Sequence, residues 1–272
     1  MESAPPSEPA VASTAGANDP DSDSDSMTTR GTIKPYGSDA EAERASAESF
    51  AEQAEAAVER SGRFTVAIAG GEAPQPMYAL LAEEPLRSRI PWDRVHLFFG
   101  DERMVPPGHA RSNYGMAHES FISQVPIPEE NVHRMRGELD PEEAREAYEK
   151  ELREVFGDGM PRFDLIHLGV GTDAHTASLF PFDDDVLGET ERPVRVAFFE
   201  EEGEYRLTFT LPLLNAARRV EFFALEGEKA GVIRKVTRGA LDPMRLPAQF
   251  VRPTDGELIW ILGPEAAKGN DD

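Results

Sequence analysis

The segment GVGTDAHTASLFP, residues 169–181, places a carboxylate and an imidazole two positions apart, directly behind an apolar run. Asp173 and His175 lack a further histidine, glutamate or cysteine at ligand spacing, so no metal site is predicted. No Gly-x-Ser-x-Gly motif occurs, which excludes a serine-hydrolase elbow. Two interpretations of His175 remain: a general base that takes a proton from water, or a cap of the following turn.

Two other loops carry chemical groups behind apolar runs. Gly70 and Gly71 follow FTVAI and precede a helix, where backbone N–H groups and the helix dipole favour an anion, although a tight turn is the simpler interpretation. Asp101, Glu102 and Arg103 follow VHLFF. They indicate either a solvated charged loop or a site in which Arg103 binds a phosphate.

The three loops connect strands and helices that alternate along the chain. Helices are predicted at residues 38–62, 74–83, 112–125, 140–157 and near 229–237, and strands at 63–71, 94–102, 163–171, 194–199, 206–211, 220–225 and 258–262. Ser38 and Asp140 are the expected N-caps of two helices. The alternation predicts an α/β fold, a three-layer α/β/α arrangement with a mostly parallel, Rossmann-like sheet. Such sheets bind ligands at the carboxyl ends of their strands.

Together the motifs resemble the 6-phosphogluconolactonase family of the sugar-phosphate isomerase and lactonase superfamily. The family pattern is a Gly-Gly loop, then Asp-Glu-Arg with Ser-Asn-Tyr downstream, then Gly-x-Gly-x-Asp-Gly-His-Thr-Ala-Ser-Leu-Phe-Pro. This chain has Gly70-Gly71, Asp101-Glu102-Arg103, Ser112-Asn113-Tyr114 and GVGTDAHTASLFP. The likeness continues through RLTFTLPLLNAARRVEFFALEGEKA and LPAQFVRPTDGELIWIL, so that it covers residues 35–265.

The resemblance implies a carboxylic ester hydrolase that converts 6-phospho-D-glucono-1,5-lactone to 6-phospho-D-gluconate in the oxidative pentose phosphate pathway, without metal or cofactor. His175 matches the family's general base, and Asp173 matches the carboxylate that orients it. Three cations match positions that hold the phosphate and the lactone end. The substrate-binding residues implied in this way are Gly70, Gly71, Asp101, Arg103, Arg206 and Lys229.

Two positions depart from the family pattern. Glu72-Ala73 stands where the family often has Ser-Thr, which should weaken phosphate binding there unless Glu72 points away. Ala174 stands where the family has a glycine, and this departure affects only the backbone angle at that position.

Two alternatives remain open: a glucosamine-6-phosphate deaminase of the same fold, and a catalytically inactive sugar-phosphate-binding protein. The deaminase pattern has Asp-Glu-Tyr, so Arg103 and TASLFP favour the lactonase. An inactive protein is expected to have lost His175 or Asp173, and both are present.

The charge of the chain limits its partners. A net charge of −23 argues against nucleic acid or an anionic membrane surface. Lysine occurs only five times, at Lys34, Lys150, Lys229, Lys235 and Lys268. This composition indicates either adaptation to concentrated salt or an ordinary acidic protein with a charged tail.

The domain organisation predicted from composition is simple. Residues 1–30 are rich in Ser, Pro, Ala and Asp and are expected to be a disordered tail without a signal-peptide pattern. Residues 31–265 are expected to form one domain and 266–272 a short C-terminal tail. With no cysteine and no apolar run of membrane-spanning length, we expect a cytoplasmic protein, either a monomer or a homodimer.

Overall fold

The main sheet is parallel throughout. The structure, a computed structural model of the 272-residue chain, describes residues 1, 29–242 and 244–270. Its strands are β1 (Thr32–Pro35), β2 (Phe64–Ile68), β3 (Val95–Phe99), β4 (Asp101–Arg103), β5 (Leu165–Leu168), β6 (Val194–Phe199), β7 (Glu204–Phe209), β8 (Arg219–Ala224) and β9 (Glu257–Leu262). Six of them pair in the order β1-β9-β8-β5-β2-β3, and every pair is parallel.

The strand order reverses next to β2. After β2 the chain adds β3 on one side, and β5 later returns to pair with β2 on the other side. The carboxyl ends of β2 and β5 therefore flank the switch point at which open α/β sheets bind ligands. The loops that leave these two ends are Gly70-Gly71 and residues 169–181.

A second, antiparallel sheet stands at the same edge. It consists of three strands in the order β4-β7-β6. A single residue, Gly100, connects β3 to β4. Its carbonyl accepts a hydrogen bond of 2.8 Å from Phe209 N in β7. The small sheet thus brings residues of β4 and β7 over the carboxyl ends of the main sheet.

Helices cover both faces of the main sheet. They are α1 (Asp39–Ser61), α2 (Gln75–Leu81), α3 (Leu86–Arg89), α4 (Asn113–Ser120), α5 (Pro141–Phe156), α6 (Asp184–Leu187), α7 (Leu211–Ala216) and α8 (Ala230–Arg238). Both predicted N-caps are confirmed: Ser38 Oγ accepts from Glu41 N, and the Asp140 carboxylate accepts from Glu142 N. In the part of the chain that the structure describes, no helix is both long and apolar enough to cross a membrane.

Successive strand residues enter different halves of the core. In β2, Ala67 belongs to one buried cluster, whereas Val66 and Ile68 belong to the other. In β5, Ile166 belongs to the same cluster as Ala67, and Leu165 belongs to the same cluster as Val66. Because both faces are packed, the strands are apolar without alternation, as parallel sheets require. The predicted α/β class with a mostly parallel sheet is confirmed.

The structure differs from the predicted elements in places. β1 and the separate three-stranded sheet were not expected, and the strand predicted at 206–211 is β7, which ends at Phe209 because α7 begins at Leu211 with a proline in its first turn. The tail predicted for residues 1–30 lies outside the described residues except at Met1, Thr29 and Arg30. The segment predicted as a C-terminal tail includes Ala266 and Ala267, which are buried in the core.

Candidate active site

A cavity of about 250 Å³ opens at the carboxyl ends of β2, β3, β5 and β8. It lies at the switch point and is closed on one side by the small sheet. Seven of the eight residues predicted for the site line it: Gly70, Gly71, Asp101, Arg103, His175, Arg206 and Lys229. The eighth, Asp173, is in direct contact with His175.

His175 and Asp173 form a hydrogen-bonded pair. His175 Nδ1 lies 2.6 Å from Asp173 Oδ1, and the same oxygen accepts a 3.1 Å hydrogen bond from the backbone N–H of His175. Burial alone would raise the pKa of Asp173, but the hydrogen bonds and charge of His175 outweigh it and hold the pKa below its ordinary value. An ionised Asp173 therefore accepts from Nδ1–H, which leaves Nε2 as the nitrogen that can take a proton.

The loop that carries this pair is tightly packed. A Cβ at Gly171 would lie 2.2 Å from His175 Nδ1 and 2.5 Å from Asp173 Oδ1, so any larger residue there would displace the pair. Ala174, between the pair, adopts a left-handed φ of 71° and is fully buried. Ser178 Oγ donates a 2.8 Å hydrogen bond to Asp101 Oδ2 and joins the loop to β4.

Asn113, at the start of α4, positions Arg103. Its Oδ1 accepts a 2.6 Å hydrogen bond from Arg103 Nη1, and its Nδ2 donates to the carbonyl and carboxylate of Asp101 at 2.9 and 3.1 Å. A Cβ at Gly70 would lie 1.9 Å from Asn113 Oδ1, so the glycine loop packs closely against the residue that positions Arg103. Arg103 Nε is buried and has no hydrogen-bond partner among the described residues.

Arg103 and Arg206 are direct neighbours across the antiparallel β4–β7 pair. Like charges at directly opposed positions destabilise a strand pair unless anions compensate them. Arg206 also lies over two aromatic rings, with its Cζ 4.7 Å from the centre of Phe199 and 5.6 Å from that of Phe180. The Phe180 ring is in turn 5.2 Å from the His175 ring, so the imidazole and the cation share one aromatic wall.

Two glutamates of the β6–β7 hairpin bind Arg206. Arg206 Nε donates to Glu204 Oε1 at 2.9 Å, and Nη2 donates to Glu202 Oε2 at 3.2 Å. Arg111, from the loop between β4 and α4, pairs with both carboxylates, at 2.5 Å in the case of Glu202. The mouth of the cavity thus carries alternating positive and negative charges.

Lys229 approaches the cavity from the segment before α8. Its Nζ lies 3.0 Å from Glu226 Oε2, and both residues line the cavity. Burial raises the pKa of Glu226, but backbone hydrogen bonds and the Lys229 ammonium outweigh it, so the pKa lies below its usual value and the carboxylate is ionised. Lys229 therefore has an ionised counter-ion within the cavity.

Glu72 also lines the cavity, where it is exposed. The expectation that Glu72 weakens phosphate binding at this loop therefore stays a prediction. Across residues 29–242 and 244–270, no group of three or more histidine or carboxylate side chains is arranged to hold a metal ion.

Sequence reasoning did not assign a role to several residues that shape the site. Asn113 was noticed only as part of the Ser-Asn-Tyr motif, and Ser178 only as part of the histidine loop. Glu202, Glu204 and Glu226 were not singled out, although the motif ALEGEKA places Glu226 three residues before Lys229. That i,i+3 spacing to a candidate cation was the available signal.

A cavity at the carboxyl edge of a parallel sheet, with a histidine–aspartate pair and three cations, defines an α/β enzyme for small phosphorylated molecules. The model of the glucosamine-6-phosphate isomerases/6-phosphogluconolactonase family matches residues 37–260. The chain belongs to this family.

Relatives and solved structures agree with that assignment. The chain is 41% identical to the 6-phosphogluconolactonase of Synechocystis sp., over 78% of this chain and 87% of the relative. It is also 41% identical to the 6-phosphogluconolactonase of Homo sapiens, over 76% and 80% of the two chains. The solved 6-phosphogluconolactonase from Trypanosoma cruzi superimposes with a TM-score of 0.79 at 28% identity, covering 90% of this chain and 99% of that one.

Proposed function

We propose that the protein is a 6-phosphogluconolactonase, an enzyme of the pentose phosphate pathway that hydrolyses 6-phospho-D-glucono-1,5-lactone to 6-phospho-D-gluconate. Relatives of that name match most of this chain and most of their own length. The observation that carries the proposal is the cross-strand pair Arg103 and Arg206 in the same cavity as His175. A dianionic phosphate is the ligand that compensates both guanidinium groups, and a water next to the imidazole supplies the nucleophile.

In this proposal His175 is the general base. With Nδ1–H directed to Asp173, Nε2 takes a proton from water as the water oxygen forms a bond to the lactone carbonyl carbon. Asp173 keeps the ring in one orientation and stabilises the imidazolium that results. The general-base interpretation is supported over the cap because His175 lines the cavity and its Nδ1 already has a carboxylate partner.

The remaining steps need charge stabilisation and one proton. The tetrahedral intermediate has an oxyanion on the former carbonyl oxygen, and the Lys229 ammonium is the cation we assign to it. The intermediate collapses as the bond between the carbonyl carbon and the ring oxygen breaks. The ring oxygen takes the proton held by His175 and becomes a hydroxyl group, and the new carboxylic acid ionises to the carboxylate.

The substrate phosphate is assigned to Arg103 and Arg206, with Gly70, Gly71 and Asp101 shaping the same cavity. Arg103 is oriented for this role by Asn113, whose Oδ1 accepts a hydrogen bond from its Nη1. None of these steps uses a cofactor. The net charge of −23 supports the prediction that nucleic acid is not a partner. A cytoplasmic location and a monomeric or homodimeric state complete the proposal.

The experiment that tests this function compares two lactones. Purified protein should hydrolyse 6-phosphogluconolactone far faster than unphosphorylated gluconolactone, in rates corrected for spontaneous opening. Arg103→Ala should reduce this preference through a raised KM, since it removes one phosphate anchor. Equal rates on both lactones would contradict the phosphate assignment, and ammonia release from glucosamine 6-phosphate would support a deaminase instead.

A further inference from the structure

Arg206 is already bound to carboxylates at the place where the phosphate is proposed to bind. Glu204 and Glu202 contact its guanidinium at 2.9 and 3.2 Å. Burial raises the pKa of Glu202, but Glu204, Arg206 and Arg111 together hold the pKa below its ordinary value. A phosphate that reaches Arg206 therefore meets an ionised carboxylate beside the same cation, and like charges at that distance repel.

The two glutamates differ in how firmly they are held. Glu204 lies within β7, and its side chain is 15% exposed. Glu202 lies in the turn that joins β6 to β7, and its side chain is 45% exposed. Glu202 is therefore the more exposed of the two side chains, and it is the one that can turn into solvent with the smaller loss of contacts.

Arg111 gives Glu202 a second partner outside the cavity. Its Nη2 lies 2.5 Å from Glu202 Oε2, and the Arg111 side chain is 46% exposed. Arg111 does not line the cavity, whereas Arg206 does and its side chain is only 8% exposed. The carboxylate of Glu202 is therefore shared between a buried cation of the site and an exposed cation at the rim.

We propose that Glu202 is an affinity-determining residue: its carboxylate occupies Arg206 when no substrate is present, and the substrate phosphate displaces it toward Arg111. Glu202 in this role lowers the affinity for phosphorylated ligands, and Arg111 lowers the cost of the displacement. This inference rests on the proposed phosphate position at Arg206. It concerns binding, so that its effect falls on KM and on phosphate inhibition more than on kcat.

The central test is Glu202→Gln compared with Glu201→Gln. Both variants remove one negative charge from the same turn, but no side-chain contact of Glu201 is found among the described residues. E202Q should lower the KM for 6-phosphogluconolactone and the Ki for inorganic phosphate by about two- to fivefold, the scale of one partly exposed charge contact. E201Q should change both constants by less than about twofold, because an exposed charge without a contact to Arg206 is largely screened.

Arg111 provides a second, independent measurement. R111Q removes the alternative partner of Glu202 and should raise the KM in the wild-type background. The same change in an E202Q background should have a smaller effect, because Glu204 is then the only one of the two carboxylates that still pairs with Arg111. An equal rise in both backgrounds would overturn the proposal, since Arg111 would then act on the substrate directly.

The outcomes separate this inference from the proposed function. If the wild-type protein hydrolyses the lactone and binds inorganic phosphate, but E202Q and E201Q have the same constants, the inference is wrong and the function stands. A higher KM in E202Q would also overturn it, because Glu202 would then be positioning Arg206. If the wild-type protein neither hydrolyses the lactone nor binds inorganic phosphate, the proposed function fails first.

Discussion

At the scale of single residues, the chemistry depends on the hydrogen bond between His175 Nδ1 and Asp173 Oδ1. We expect His175→Ala to lose roughly a hundredfold or more in kcat, the usual scale for a general base, with little change in KM. Asp173→Asn should lose less, since the imidazole remains but is oriented less well. Initial rates above the spontaneous background measure both. Near wild-type turnover in H175A would show that the histidine only caps the turn.

Ala174 is a second residue whose conformation can be tested. Its φ of 71° is costly for any residue with a side chain, and its methyl group is fully buried. In Ala174→Gly the relief of strain and the loss of a buried methyl nearly offset each other, so the free energy of unfolding should change by less than about 1 kcal/mol. Ala174→Val should lower the free energy of unfolding by about 2–3 kcal/mol. A β-branched residue is strongly disfavoured in the left-handed conformation, and the buried position has no space for two further methyl groups.

Denaturant unfolding of the two variants provides the measurement. Both substitutions change the same position, one by removing the methyl group and the other by enlarging it, so each is the control for the other. Equal stability of A174G and A174V would show that the left-handed backbone at this position does not restrict the side chain.

The site residues that could be predicted are those that form motifs along the chain. His175, Asp173, Arg103 and the two glycines stand at strand ends, where an α/β pattern predicts that they meet. Asn113 and Glu202 could not be found in this way. Their roles depend on contacts between segments that the sequence does not place side by side, such as the Cβ position of Gly70 against Asn113.

At the scale of elements, the parallel sheet was predictable and the small antiparallel sheet was not. Apolar runs such as FTVAI and FDLIHL indicate strands buried on both faces, and the intervening helices have clear caps. β4 has only three residues and follows β3 after a single glycine, so the two read as one strand in the sequence. The pairing of residues 101–103 with residues 206–208 reveals that the chain changes sheets there.

His96 of the outer strand β3 forms a pair with His133 that has a testable pH dependence. His96 Nδ1 lies 3.2 Å from His133 Nε2, and burial, with the nearby His133 and Arg63, lowers the pKa of His96 to about 4. The ordinary value in an unfolded chain is about 6.5. The neutral imidazole is therefore favoured by folding, and the stability present above about pH 6.5 is lost as the pH falls toward 4.

His96→Gln should therefore flatten the dependence of Tm on pH between about 6.5 and 4. His118→Gln, on the surface of α4, replaces a histidine outside the pair and serves as the control. The measurement is a series of thermal unfolding curves at constant ionic strength. A slope in H96Q as steep as in the wild-type protein would assign the acid sensitivity to other groups.

At the scale of the whole molecule, charge is the property that most affects stability in different solvents. The chain has 51 acidic and 28 basic residues, which leaves a net charge of −23. If the surface is adapted to salt, Tm should rise from low to molar KCl as repulsion between carboxylates is screened. An unchanged Tm over that range would favour an ordinary acidic protein and would not affect the enzyme assignment.

The pairing of β1 with β9 has a consequence for how the chain is made. Thr32 lies opposite Ile259, so β1, which is synthesised before the other described strands, must wait for β9, which is synthesised after them. β9 also pairs with β8, and the other five strands of the main sheet can therefore assemble before β1 is added. A chain that stops short of Glu257 leaves β1 unpaired and one edge of β8 open, whereas a truncated chain that begins after β1 newly opens only one edge of β9. Truncation at the carboxyl end is therefore expected to leave more unpaired strand edge, and so a greater tendency to aggregate, than loss of β1.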